Sequence, residues 1–161
     1  MRTVTHPRLA HYADLTALQR EQLVGLEVHP EQLQFCGDIQ SALHSLPRKS
    51  HDGVLGLVLL DEDMPVAFLL LKRHPFVPHW AGAGSATLHA LQVDRQVQGR
   101  GFGVACLQAL PEAARRAWPQ TRELLLSVGT DNKAAMNLYL KQGWVDTGEA
   151  YRGERRLALA L

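Results

Sequence analysis

Two nearly continuous apolar runs dominate the hydropathy pattern of this chain. Gly53 to Leu60 is the first, Pro65 to Leu71 the second, and only Asp61-Glu62-Asp63 and Met64 lie between them. Apolar runs of strand length around a short acidic turn predict an antiparallel hairpin. Upstream the rhythm is helical. Leu15, Leu18, Leu23 and Leu26 predict a helix over Asp14 to Val28, stopped by Pro30. Thr3 to His6 reads as a first strand ended by Pro7, and Glu31 to Leu46 as a second helix, broken near Gly37. His74 to Ser85, with its prolines and glycines, reads as a loop.

The second half of the chain alternates strand and helix. Thr87 to Val93 predicts a strand and Val104 to Leu110 a helix. Pro111 removes a helical hydrogen bond, so a kink is expected there, or a break with a second short helix starting at the proline. Glu123 to Val128 follows as a strand. Thr130-Asp131-Asn132 offers caps for a helix running to Gln142, with Gly143 as its stop. Trp144 to Thr147 and Arg155 to Leu161 read as closing strands. The order predicts one mixed α/β (α+β) domain over residues 1–161, with antiparallel hairpins flanking a β–α–β unit.

Composition narrows the function classes. The 161 residues are 46% hydrophobic and 20% charged, as expected for a globular protein with a substantial core. Seventeen basic residues balance sixteen acidic ones, which argues against charge-driven nucleic-acid binding. No run suits a secretory signal or a membrane span, so a cytoplasmic protein without membrane or nucleic-acid partners is expected. Cys36 and Cys106 have no metal or redox spacing and read as small buried hydrophobes. The eight histidines show no ligand spacing either, so no metal is expected.

The chemistry centres on Gln98-Gly99-Arg100-Gly101-Phe102-Gly103. Glycines at alternate positions let a ligand approach the backbone closely, and the helix that follows aims free N–H groups at it. A phosphate or pyrophosphate is the natural guest. No Gly-Lys-Ser/Thr ending is present, which excludes the P-loop, and Cys106 stands where a dinucleotide fold wants its third glycine.

Downstream, Asn132, Ala135 and Tyr139 share one face of the last helix. Leu91-Gln92-Val93, the Gln-x-x-Gly-x-Gly turn five residues on, and Asn132 to Tyr139 followed by Gly143-Trp144 together resemble the GNAT superfamily of acetyl-CoA-dependent N-acetyltransferases. The resemblance covers residues 85–147. It implies a mostly antiparallel sheet with a β–α–β cofactor core and about four helices. It also implies acetyl-CoA as co-substrate. The pantetheine arm is expected along Leu91, Gln92 and Val93, and the pyrophosphate on the amides of Gln98, Gly99, Arg100, Gly101, Phe102 and Gly103. Arg95 and Arg100 would add positive charge. A bulge is expected to splay the strand from its neighbour, the Val93 amide to polarise the thioester carbonyl, and Asn132, Ala135 and Tyr139 to complete the seat. Tyr139 is the expected general acid.

The base departs from the pattern. Many relatives carry a glutamate where this chain has Ser127. His89 replaces it as the expected base, on the same strand face as Leu91 and Val93, and Leu88 to Val93 is similar to the arylalkylamine N-acetyltransferases. Water acting through Ser127 is the alternative. For the acceptor, Glu27, Glu31 and Asp38 would hold a cationic amine, and Phe35, Phe76 and Trp80 an apolar body. His29 to Phe35 is similar to polyamine acetyltransferases. A small-molecule primary amine is the expected acceptor. A protein N-terminus or lysine is the alternative within the enzyme class, and a non-catalytic acetyl-CoA sensor outside it. The apolar strand Leu157 to Leu161 suits either the core or a homodimer edge.

Overall fold

A computed structural model describes residues 6–46 and 53–161. Seven strands form one sheet in the order β1-β2-β3-β4-β5-β7-β6. They are β1 (Arg8–His11), β2 (Val54–Asp61), β3 (Met64–Arg73), β4 (Ser85–Val93), β5 (Glu123–Val128), β6 (Val145–Tyr151) and β7 (Glu154–Ala160). Every pairing is antiparallel except β4 with β5. The helices are α1 (Ala17–Val24), α2 (Leu33–Cys36), α3 (Ile39–His44), α4 (Phe102–Ala117) and α5 (Lys133–Lys141). Four of the five exceed a single turn, in keeping with the mixed, mostly antiparallel fold read from the sequence.

The continuous apolar runs exist because β2 and β3 are covered on both faces. Leu57, Leu59, Leu69 and Leu71 pack under α4 with Cys106, Leu107 and Leu110. Val58, Leu60, Phe68 and Leu70 pack on the opposite face with Leu23, Leu26, Ile39 and Ala42. Asp61-Glu62-Asp63 makes the expected hairpin. Glu62 and Asp63 both have positive φ (48° and 67°), which suits a two-residue turn between twisted strands.

Several boundaries differ from the sequence reading. The first strand lies after Pro7, at Arg8–His11; Thr3 to Thr5 of the expected strand fall outside the described residues. The first helix is shorter than Asp14 to Val28. Thr16 and Gln19 form a reciprocal capping box that fixes its start, and Gly25 ends it. Leu18 is consequently 62% exposed, although it shares the apolar rhythm. Pro30 opens a 3-10 turn instead of merely stopping a helix. No second helix starts at Pro111, because α4 runs straight through it, anchored by buried Leu107, Leu110 and Ala114 on either side. The closing hairpin is longer than expected. β6 reaches Tyr151 and returns through Arg152 and Gly153, both at positive φ.

The feature that shapes the site is in β4. Ala90 has φ 56°, and two β3 steps, Leu70 to Phe68, oppose three β4 steps, His89 to Gln92. This is a bulge, and it reverses which face the following side chains occupy. Ala86 and Leu88 before it, and Leu91 and Val93 after it, all pack on the α4 face. His89 pairs with Leu70 and therefore faces the α1 side. The expected common face of His89, Leu91 and Val93 is thus corrected: the inserted residue separates them. Buried Gln92 donates its side-chain amide to the Ala90 carbonyl (3.0 Å) and pins the bulge.

A left-handed alanine costs about 1–2 kcal/mol, and a β-branched side chain at the same φ costs more. Ala90→Gly is expected to hold wild-type stability within about 1 kcal/mol, since relief of strain offsets the added freedom of the unfolded chain. Ala90→Val is expected to lose about 2 kcal/mol or more in urea unfolding. Equal midpoints for the valine variant and wild type would refute the strain assigned to this position.

Candidate functional site

β4 and β5 pair only from Ser85/Glu123 to Thr87/Leu125 and then separate. A cleft of about 510 Å³ opens in the gap, between the ends of the two strands, the glycine turn, α5 and α2. The register places His89 level with Ser127 across this gap, two residues beyond the last pair.

The glycine turn forms one end. Gly99 and Gly101 have φ of 82° and 86°, conformations that favour glycine. Gly103 serves a different purpose. It lies in the first turn of α4, and a Cβ there would stand 3.5 Å from Leu138 and 3.9 Å from Val93. Larger side chains would fill the space between the turn and α5. Gly101 caps α4 without a side-chain acceptor, so the first amides of the helix remain available to an anion. These residues fit a pyrophosphate.

The backbone of β4 is equally specific. Asp94 N donates to Val66 O (2.9 Å), in register with the Ala67–Val93 pair. Alternation along an antiparallel ladder then turns the N–H and C=O of Val93 away from β3, toward the gap. Gln98 Nε2 takes the Val93 carbonyl (2.9 Å), which leaves the Val93 N–H as the donor facing the cleft. The same Gln98 amide reaches Gln32 Oε1 (2.9 Å), and Gln32 Nε2 returns to Gln98 Oε1 (3.3 Å). The glycine turn is thereby tied to the segment leading into α2.

On the α5 wall, Asn132 accepts from Ala135 N (3.4 Å) and caps the helix. Asn132, Ala135 and Tyr139 all line the cleft. Tyr139 packs edge-on against Trp144, with ring centroids 5.8 Å apart. Burial, with the thiols of Cys36 and Cys106 adding to it, pushes the Tyr139 hydroxyl up to about 12, so it stays protonated throughout the neutral range. Cys106 is fully buried and its thiol is raised to about 12, which leaves it no nucleophilic role.

His89 lines the cleft from the α1 side, with its Nε2 2.6 Å from Thr87 Oγ1. Burial, assisted by the positive charge of Lys72, lowers its pKa from 6.5 to about 4. A neutral imidazole therefore faces the gap at working pH.

Of the expected cofactor residues, Leu91, Gln92, Val93, Gln98, Gly99, Gly101, Phe102 and Gly103 also line the cleft. Arg100 is not in its lining and is exposed on the turn. Arg95 pairs with Glu27 (3.3 Å). The expected acceptor residues divide. Phe35 lines the cleft, whereas Phe76 borders a separate polar depression with Arg73 and Arg122, and Trp80 lines neither. Asp38 caps α3 through Ser41 N (2.7 Å). Glu27, Glu31 and Asp38 are all outside the cleft lining.

Two lining residues with ionisable side chains escaped the sequence reading of the site. Cys36 is half-buried in the wall and is not a core residue. Glu154 joins the cleft from β7. Only the β5–β7 pairing, invisible in local sequence, brings it there.

This arrangement combines an anion seat, a backbone donor at a split strand and a protonated phenol around one cleft. The acetyltransferase (GNAT) family model matches residues 13–144, and the chain belongs to that family. It is an N-acetyltransferase. It is 27% identical over 112 residues to the uncharacterized N-acetyltransferase YbbJ of Bacillus subtilis strain 168, spanning 65% of this chain and 70% of that protein. The GNAT domain of S. lividans PAT superposes with a TM-score of 0.75 at 21% identity, over 96% of this chain and 90% of that one. The aminoglycoside acetyltransferase AAC(6')-Ib, solved in complex with coenzyme A, superposes with a TM-score of 0.66 at 17% identity, over 96% and 93%.

His89 also couples charge to stability. Its folded pKa of about 4 lies below the unfolded value of 6.5, so the unfolded chain takes up a proton first as pH falls. The neutral histidine costs no stability above pH 6.5; between there and pH 4 the fold loses up to about 3 kcal/mol through this group. His89→Gln is expected to flatten that part of the curve of unfolding free energy against pH. An identical slope in both proteins would show that His89 is not the group held neutral.

Proposed function

We propose that this protein transfers the acetyl group of acetyl-CoA to the primary amine of a small molecule by direct attack. The observation that carries this reading is the parted strand, with the Val93 N–H facing the gap between an anion seat and a protonated tyrosine. The coenzyme A bound to the aminoglycoside acetyltransferase of the same fold supports acetyl-CoA as the donor here. The amides from Gln98 to Gly103 take the pyrophosphate, and the edge of Leu91 to Val93 receives the pantetheine arm as an added strand. Asn132 and Ala135 close that side.

The acceptor enters from the opposite face. His89 lies on that face, level with Ser127, and the bulge turns Leu91 and Val93 to the other. The amine nitrogen attacks the thioester carbonyl while the Val93 amide receives the developing negative charge on oxygen. His89 takes the amine proton, directly or through water beside Ser127. Tyr139 meets the departing sulfur as a donor that still carries its proton. α2, which carries Phe35, and Glu154 would form the acceptor wall of the cleft.

Free thiol release from acetyl-CoA with a panel of small primary amines tests the reaction. Tyr139→Phe is expected to lower kcat about 100-fold with little change in the KM for acetyl-CoA. Gly103→Val is expected to abolish acetyl-CoA binding while circular dichroism reports an intact fold. Acetyl-CoA binding without thiol release for any amine or amine-bearing peptide would instead make the domain a sensor of the cofactor. Release with peptides alone would move the acceptor to proteins.

A further inference from the structure

Among the residues lining the cleft, Glu154 is the single carboxylate, and no lysine or arginine lines it. Its position follows from register. Ser127 pairs with Arg156 and Val128 with Arg155, so Glu154 lies one step past the end of β5. Leu157 packs on the α4 face, and alternation puts Arg156 and Glu154 on the other face, the one that carries His89 and Ser127. Glu154 therefore stands on the acceptor side of the gap, beyond Ser127.

The nearby cations are engaged elsewhere or set apart. Arg155 is held by Asp146 through Nε and Nη2 (3.0 and 2.9 Å). Arg156 is turned to the Trp80 carbonyl (3.0 Å) and the Thr147 hydroxyl (2.9 Å). Lys72 lies opposite Thr87 on β3 and is outside the cleft lining. Among the described residues no side chain forms an ion pair or hydrogen bond with the Glu154 carboxylate. Of the acidic groups that the sequence offered for this task, Glu27 and Asp38 are committed to Arg95 and to the α3 cap, and Glu31 is outside the cleft lining.

We propose that Glu154 selects acceptors that carry a second positive charge, with its carboxylate facing that charge while the reacting nitrogen lies between His89 and Ser127. This rests on the acetyltransferase reading above and specifies its substrate class: diamines and other dibasic amines, in preference to monoamines and to amines bearing a carboxylate. A lone carboxylate inside a partly desolvated cleft attracts a cation more strongly than it would in water, and it repels an anion by the same amount.

The test compares 1,4-diaminobutane, butylamine and 4-aminobutanoate, which share a reacting end and differ at the far end. Wild type is expected to favour the diamine over butylamine by about tenfold in kcat/KM, less so at high salt. Glu154→Gln is expected to remove that preference, raising the KM for the diamine about tenfold more than the KM for butylamine. Glu154→Lys is expected to shift preference toward 4-aminobutanoate. An unchanged diamine to butylamine ratio in both variants overturns the assignment. An equal fall in kcat for every amine also overturns it, because Glu154 would then serve the chemistry or the fold. Thiol release with butylamine but no preference for the diamine in wild type sinks the inference and leaves the acetyltransferase reading standing. Absence of release with any amine sinks both.

Discussion

An alanine at φ 56° in the middle of β4 inserts one extra residue against β3, and the rest of the site follows from it. The inserted residue reverses the side-chain alternation, so hydrophobic Leu91 and Val93 return to the α4 core while His89 stays on the other face. β4 and β5 part just ahead of it. A regular strand would have paired on with β5 and filled the gap with its own ladder. The cost is a strained backbone and an interrupted sheet. Two separate hydrophobic clusters, one on each face, hold the sheet together around that interruption.

The same burial that stabilises the two layers sets the ionisation of two groups in the cleft. Tyr139 and His89 approach the gap from different elements, and desolvation drives both toward their neutral forms. The phenol keeps its proton and the imidazole lacks one. In the proposed transfer, a proton passing from amine toward sulfur would meet an empty acceptor at one end and a loaded donor at the other, and neither group is a buried charge that needs a partner. Glu154 brings a carboxylate to the same cleft, beside the β6–β7 turn.

Much of this was legible in the sequence, and unevenly so. The hairpin of β2 and β3, strand β5 and the glycine turn were readable because each is encoded locally, by apolar runs, turn residues or glycine spacing. The Asn132 cap and Gly143 stop defined α5 for the same reason. The first helix was overestimated because Leu18 continues the apolar rhythm without being buried, while the Thr16–Gln19 box decides the start. The break weighed at Pro111 does not occur, since burial of its neighbours keeps one continuous helix. The face of His89 was misread because a period of two assumes no inserted residue, and nothing in Leu88-His89-Ala90-Leu91 marks one. Glu154 was out of reach, as its place depends on pairing between strands far apart in the chain.

The paired amides of Gln32 and Gln98 have a consequence for assembly. They join positions 66 residues apart, and the bridge closes only when both the segment before α2 and the turn after β4 have reached their final places. Closing so long a loop is paid for in chain entropy before it returns any contact energy. The hairpin of β2 and β3 has no such delay, being local. On chain entropy alone, the hairpin is expected to form before the bridge between the glycine turn and the segment leading into α2. A chain collapsed around β2 and β3 would then be compact before that side of the cleft is closed.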